Sequence, residues 1–391
     1  MRRLCLLLGM PQNRFASIHV VGTNGKTSVT RMTAALLEAH GVTTGAYVSP
    51  HITSWRERVL IRGEPISEEA FTEALERTEQ AAQVADRSAG EEGPVTQFEL
   101  LTAAAFVAFA AARVQYAVVE AGLGGRLDAT NVIPSQLTVL TSVGYDHTEW
   151  LGETLEEIAS EKVAVLRDHT TLLFAGVPEE ALPVIEHEVE RRHARARMVA
   201  AHFDSYTGPT YQDRNRVLAE AAVEEVLGEG DLDASGVLDG LTISGRAEVH
   251  PGDPPTIFDA AHNPDGARAL AESLPTLTQE REVVCCLAIL EGKDAGGIVN
   301  ALAPAVSRFV CTEIPPERIE GSGRPGGRSR PALEIAALCE KAGVEAEAIP
   351  DPLAAWERAR ELAREMEGVA LAAGSHYLLA SIWTERPAQS S

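Results

Sequence analysis

Seven consecutive residues near the start of the chain, Gly22, Thr23, Asn24, Gly25, Lys26, Thr27 and Ser28, could handle phosphate. The apolar run Ile18–Val21 leads into them, and an amphipathic run leaves them from about Lys26 to near Gly41. Strand, glycine-bounded turn and helix start, in that order, surround an anion with backbone N–H groups and the positive end of a helix. Lys26 adds a mobile charge for the outer phosphates, and Thr27 or Ser28 can offer a hydroxyl to Mg²⁺ or phosphate. The spacing G-x-x-G-K-T is two residues shorter than the common Walker loop. The plain alternative, a turn carrying a surface lysine, is disfavoured by the strand and helix on its two sides.

A frame must hold that loop. Thr44–Val48, Tyr116–Glu120, Leu137–Val143 and Thr171–Ala175 read as further strands. Between them, Ser67 caps a helical stripe of Phe71, Leu75 and Thr78. Thr96 with Glu99, and Thr154 with Glu157, have capping-box spacing, and Glu179 to about Arg192 is a charged helix. Asp86–Pro94 reads as a polar loop. This alternation predicts an α/β fold with a mainly parallel sheet, whose ligands sit beyond the C-terminal strand ends. Gly22, Ser49, Glu120 and His147 all fall there, one per strand. Each of the last three also has a plainer reading: a turn residue before Pro50, a solvated strand end, a polar residue before a helix. Lys162 sits in an acidic helix and by composition reads as a surface lysine. Counting 3.6 residues per turn from the cap instead sets it on the side of Leu155 and Ile158, away from Glu156 and Glu157.

A helix at Asp213–Leu227 precedes a glycine-rich stretch, 228–245, which marks a domain boundary near 240. Beyond it, strands at Thr256–Asp259, Val283–Ala288, Phe309–Thr312, Glu345–Ile349 and Val369–Ala373 alternate with helices at Pro264–Leu274 and near 296–303, 331–342 and 352–367. Gly321–Arg330 is a basic loop in an acidic chain, either a phosphate-facing lid or simple disorder.

The chain has 391 residues, which makes two domains the default. Its net charge of −23 argues against nucleic-acid binding and requires local basic residues and Mg²⁺ around any nucleotide. The five cysteines lack C-x-x-C spacing, as in a reduced cytoplasmic protein, with Cys285 and Cys286 in an apolar run of core type. No run reaches membrane-spanning length, and Leu4–Leu8 is too short an apolar run for a signal peptide.

Taken together, His19–Lys26, Tyr47–His51, Glu57-Arg58, Glu120–Asn131, Asp146-His147-Thr148, Glu161-Lys162, Asp259–Pro264, Gly292–Asp294 and Gly374-Ser375 resemble the folylpolyglutamate synthase/dihydrofolate synthase family of the Mur ligase superfamily. The string Gly-Leu-Gly-Gly-Arg-Leu-Asp-Ala-Thr-Asn at 122–131 is the specific part; the phosphate loop alone is not. The resemblance implies a P-loop Mur-ligase-like domain over 1–240 and a smaller Rossmann-like α/β domain over 241–391. It implies a monomeric cytoplasmic ligase with no nucleic-acid or membrane partner. The reaction it implies is one in which ATP phosphorylates a substrate carboxylate, the amine of L-glutamate attacks the acyl phosphate, and an amide forms with release of ADP and phosphate. The acceptor would be a reduced folate, dihydropteroate, or both.

By the same resemblance Lys26, His147 and Lys162 are catalytic. Ser49, Glu120, His147 and Lys162 match ligands for Mg²⁺, two ions, with Lys162 carbamylated. Phe98, Glu99, Arg126 and Asp128 match positions near the pterin or aminobenzoyl group, although Glu99 is equally well explained as a helix cap. Asn263, Asp294 and Arg330 match nucleotide contacts from the second domain, so the nucleotide is expected to be gripped between domains. Asn263-Pro264 is otherwise a good helix start. Three departures stand out: Thr27 where the family's Gly-Lys-Gly-Ser has its second glycine, an absent lead-in helix before Leu8–Gln12, and a shortened stretch from Met198 to Gln212. A ligase acting on nucleotide-linked peptides is the rival enzyme; it needs a UDP-binding domain, for which there is no room before Gly22. A nucleotide-binding module without ligase activity is the rival outside that class.

Overall fold

The computed structural model describes residues 1–87, 93–199, 210–228, 234–321 and 326–383. They fall in two compact units, drawn from Met1–Tyr206 with Arg214–Leu241 and from Thr207–Asp213 with Thr242–Ser391.

The first unit is built on an eight-stranded sheet of β1 (Ala16–Val21), β2 (Thr44–Tyr47), β3 (Val59–Ile61), β4 (Glu64–Pro65), β5 (Tyr116–Glu120), β6 (Leu137–Leu140), β7 (Thr171–Phe174) and β8 (Arg195–Met198), in the order β4-β3-β2-β5-β1-β6-β7-β8. All neighbours are parallel except the β2-β3 and β3-β4 pairs. The central strands are nearly continuous apolar runs because helices cover both faces. Val20 pairs with Glu120 on β5 and Val21 with Leu140 on β6, so the phosphate loop leaves the sheet between those two strand ends. The strand expected to reach Val143 stops at Leu140. Thr141 and Ser142 turn away to donate their hydroxyls to Asn24 O, at 2.6 and 3.1 Å.

The helix starts fall where their caps predict. Ser67 Oγ accepts from Ala70 N ahead of Glu68–Asp86, and both Thr–Glu capping boxes form, ahead of Gln97–Ala111 and Leu155–Val163. Each such cap stabilises its helix by about 1 kcal/mol. The lead-in helix expected to be absent exists as the short helix Arg2–Leu7, with Leu4 and Cys5 in the core. The charged helix opens with a 3₁₀ turn, Glu179–Ala181, before Leu182–Arg191, and the next one begins at Tyr211. β3, β4 and β8 were not expected. All three are short; β4 and β8 are the edges of the sheet, and besides its pairing with β7, β8 is tied down by ion pairs of Arg195 with Glu225 and Arg197 with Glu224.

The second unit has a six-stranded sheet of β9 (Glu248–His250), β10 (Thr256–Phe258), β11 (Val283–Leu287), β12 (Arg308–Cys311), β13 (Ala346–Ala348) and β14 (Val369–Ala373), in the order β13-β12-β11-β14-β10-β9. Only β9, another unexpected edge strand, runs antiparallel to its neighbour. The helix from Pro264 reaches Thr278 rather than Leu274, because its buried face of Ala267, Leu270, Ala271 and Leu274 carries it past Pro275. All five cysteines are free and buried.

Residues 88–92 of the polar loop, 200–209 of the shortened stretch, 229–233 of the glycine-rich boundary and 322–325 of the basic loop lie outside the described residues. A short helix, Ala234–Asp239, follows within the boundary stretch. Among the described residues no helix is long and apolar enough to cross a membrane.

Candidate active site

Gly25 has φ +85° and caps the helix Lys26–Ala39, so glycine's freedom in the left-handed region is what lets the loop turn into the helix. A Cβ there would also lie 2.6 Å from Asn215 Oδ1. Lys26 Nζ folds over the loop and donates to Gly22 O and Thr23 O at 2.9 and 3.0 Å. Thr23 Oγ1 accepts from Gly144 N at 3.1 Å and donates to its carbonyl at 3.0 Å. Asn24 N donates to Ser142 Oγ at 2.9 Å. Of the two candidate hydroxyls, Thr27 is the one that faces the strand ends. Its Oγ1 donates to Glu120 Oε1 at 3.1 Å and lies 3.4 Å from Ser49 O, while the Ser28 hydroxyl is buried inside the helix packing. Ser49 N donates to the other Glu120 oxygen at 3.1 Å.

Glu120 is 2% exposed and is therefore no solvated strand end. Lys162 is no surface lysine: it too is 2% exposed, on the helix face that buries Ile158, Ala159 and Val163. The spacing argument, not the acidic surroundings, describes its environment. Burial, with the Lys26 charge adding and Asp146 opposing, lowers the Lys162 amine to a pKa of about 7. His147 takes a left-handed φ of +50° as the cap of Thr148–Leu151. Its Nε2 lies 3.8 Å from Asp146 Oδ1 and its Nδ1 3.9 Å from Glu149 Oε1. Asp146 was not singled out as a site residue, yet it faces Lys162 electrostatically and also accepts from His147 N. Its signal in the sequence was its place beside His147 at a strand end.

Among the described residues no group of three or more His, Cys, Asp or Glu side chains has metal-holding geometry. The donors present, a buried carboxylate with a threonine hydroxyl and a backbone carbonyl beside it, are hard oxygens. They fit Mg²⁺, which is commonly held by one or two carboxylates completed by substrate phosphates rather than by an all-protein cage.

The Lys162 shift has a measurable consequence. Between about pH 7 and the ordinary lysine value of 10.5, the unfolded chain holds a proton on this amine that the folded chain lacks. This group therefore makes stability rise with pH across that window. Lys162→Met, which removes the amine, is expected to flatten the rise in urea unfolding between pH 7 and 9. An unchanged slope would contradict a buried amine.

The 122–131 loop packs on the same region. Gly122 lies against Phe98, whose ring a Cβ would meet at 2.4 Å, and Phe98 stands 6.2 Å from the Tyr47 ring. Arg126 Nε pairs with Glu161 Oε1 at 2.7 Å, and Asp128 accepts from Leu123 N at 2.8 Å and Thr130 N at 2.9 Å. Glu99 closes its capping box with Thr96 and meets the Met1 ammonium at 2.5 Å. Glu99, Arg126 and Asp128 thus order the loop and helix in which they stand. A Cβ at Gly125 would lie 2.6 Å from Glu161 O and 2.8 Å from Lys162 O. Gly125→Ala is expected to cost about 2 kcal/mol in urea unfolding, because backbone cannot yield as a side chain can. A neutral result would mean the loop stands off the Lys162 helix.

In the second unit, Asn263 and Asp294 are helix caps, accepting from Gly266 N and Gly297 N at 2.8 Å each. Arg330 pairs with Glu334 at 3.1 Å, and its N–H donates to Ile289 O.

A phosphate loop on a parallel sheet, a buried carboxylate and lysine at the strand ends, and an appended α/β unit define a Mur-ligase-type protein. Residues 20–207 match the Mur ligase middle domain, and residues 245–376 match the Mur ligase, glutamate ligase domain. The chain is 36% identical over 380 residues to the dihydrofolate synthase/folylpolyglutamate synthase of Mycobacterium tuberculosis, across 86% of this chain and 75% of that one. It belongs to the dihydrofolate synthase/folylpolyglutamate synthase family. Its structure matches that of Mycobacterium tuberculosis folylpolyglutamate synthase complexed with ADP and AMPPCP with a TM-score of 0.87 at 30% identity, covering 99% of this chain and 95% of the other. It matches the Yersinia pestis bifunctional folylpolyglutamate synthase/dihydrofolate synthase with Mn, AMPPNP and L-glutamate bound with a TM-score of 0.81 at 25% identity, covering 98% and 93%.

Proposed function

We propose that this protein is an ATP-dependent ligase that joins L-glutamate to the carboxylate of a folate, of dihydropteroate, or of both, through an acyl phosphate. The observation that carries this reading is the convergence of Lys26, Thr27, Ser49 and Glu120 on the strand ends of one unit, in a chain of this family. The structures of relatives with ADP and AMPPCP and with Mn, AMPPNP and L-glutamate support ATP and a divalent metal as its ligands.

Phosphoryl transfer needs positioning and charge neutralisation more than covalent help. The loop N–H groups and Lys26 hold the outer phosphates, and Thr27, Ser49, Glu120 and His147 offer ligands for Mg²⁺, two ions in this proposal, which supplies charge neutralisation when bound. Lys162 is neutral enough near pH 7 to take up CO₂: its nitrogen bonds the carbon, gives up a proton and becomes a carbamate. The buried amine thus turns into an anionic oxygen ligand. Phe98 and the 122–131 loop seat the aromatic acceptor. Asn263, Asp294 and Arg330 serve the nucleotide, and the protein works as a monomer in the cytoplasm.

The assay uses purified protein, ATP and labelled glutamate with each acceptor in turn. ADP release that requires both glutamate and one acceptor, with label entering the acceptor, is the expected result. ATP bound but never turned over would instead identify a nucleotide-binding module.

A further inference from the structure

His19 is, with Ser17, one of two polar residues in an otherwise apolar strand; it is fully buried, and none of the chemistry above uses it. Its Nε2 lies 2.8 Å from Thr130 Oγ1. That hydroxyl lies 2.5 Å from Asp128 Oδ1, which also accepts from Thr130 N at 2.9 Å, while Asp128 Oδ2 accepts from Leu123 N at 2.8 Å. A carboxylate can only accept, so the Thr130 hydroxyl gives its proton to Asp128 and has only lone pairs left for His19. The network therefore assigns the Nε2–H tautomer to the imidazole. Nδ1 is then a bare acceptor, and it is buried without a partner. Burial, with the Arg167 charge adding, lowers the ring's pKa to about 3, so it is uncharged at neutral pH.

This chain of bonds joins two loops. β1, which carries His19, runs directly into Gly22, and Asp128 ties together the two ends of the turn that Leu123 opens and Thr130 closes. We propose that His19 is a positioning residue, holding the 122–131 loop in register with the phosphate-loop strand through Thr130 and Asp128. The seat of the acceptor is thereby fixed relative to the phosphates. The kinetic consequence rests on the ligase reading; the positional one does not.

Three variants test it. His19→Leu removes the donor, Thr130→Val severs the same relay from its other end, and His19→Gln keeps an N–H near the Nε2 position. Amide exchange in the unliganded protein is expected to be about tenfold faster at Leu123 and Thr130 in His19→Leu, and at Leu123 in Thr130→Val, with His19→Gln close to wild type. In turnover, KM for the folate acceptor is expected to rise about tenfold in the two severed variants, with KM for ATP unchanged. Unchanged exchange in both severed variants, or His19→Gln as damaged as His19→Leu, would return His19 to an ordinary core residue. If His19→Leu does not fold, Thr130→Val carries the comparison. Absence of folate-dependent turnover in the wild type would overturn the ligase reading and leave the exchange result to decide the relay.

Discussion

Lys162→Ala is expected to abolish ligation, by about 10³-fold or more, while leaving ATP binding within a few-fold of wild type. The wild-type amine is 2% exposed and has a pKa lowered to about 7, which suits it to carry CO₂ rather than a permanent charge. A protonated lysine beside Lys26 would add to the positive charge, whereas a carbamate supplies a negative oxygen where no glutamate stands. Acetate, small enough to enter the space left by the deleted side chain, is expected to restore part of the turnover of Lys162→Ala and to do nothing for the wild type. Wild-type activity in the alanine variant, or a complete lack of rescue by any small carboxylic acid, would remove the carbamate from the account.

Lys26→Ala is expected to lower turnover by about 10² to 10³, the loss that follows removal of one preorganised charge-stabilising donor. Folding should survive. Lys26 is only half-buried, and its two donated bonds go to carbonyls within its own loop. Near-normal turnover in the folded variant would show that this loop does not hold the reacting phosphates.

The parts of the fold that could be read in advance are those where local chemistry and tertiary packing agree. β1 and β5 are mostly apolar and buried, and the boxes Thr96–Glu99 and Thr154–Glu157 satisfy backbone donors wherever the helix later packs. β4, β8 and β9 were illegible for the opposite reason. They are two to four residues long, too short to show a strand's alternation, and β8 carries two arginines whose partners, Glu224 and Glu225, are distant in sequence. The candidate site divides in the same way. Gly22–Ser28 and Glu120 could be placed from strand-end logic. The clamps on the loop could not: Thr141 and Ser142 looked like the end of a strand. Lys162 is the instructive case. Its charged neighbours predicted solvent, its helical phase predicted the interior, and phase was the stronger signal because the Thr154 cap fixes where the turn count begins.

The claim that an acyl phosphate joins ATP to the acceptor is tested most directly by oxygen transfer. The protein is given ATP, L-glutamate and a folate acceptor labelled with ¹⁸O in the carboxylate that becomes the amide. A carboxylate oxygen that attacks the γ-phosphorus stays with the phosphate when the amine displaces it. The account predicts that each inorganic phosphate released carries one oxygen from the acceptor, and that none is released without glutamate and acceptor together. Amide product accompanied by unlabelled phosphate would contradict it.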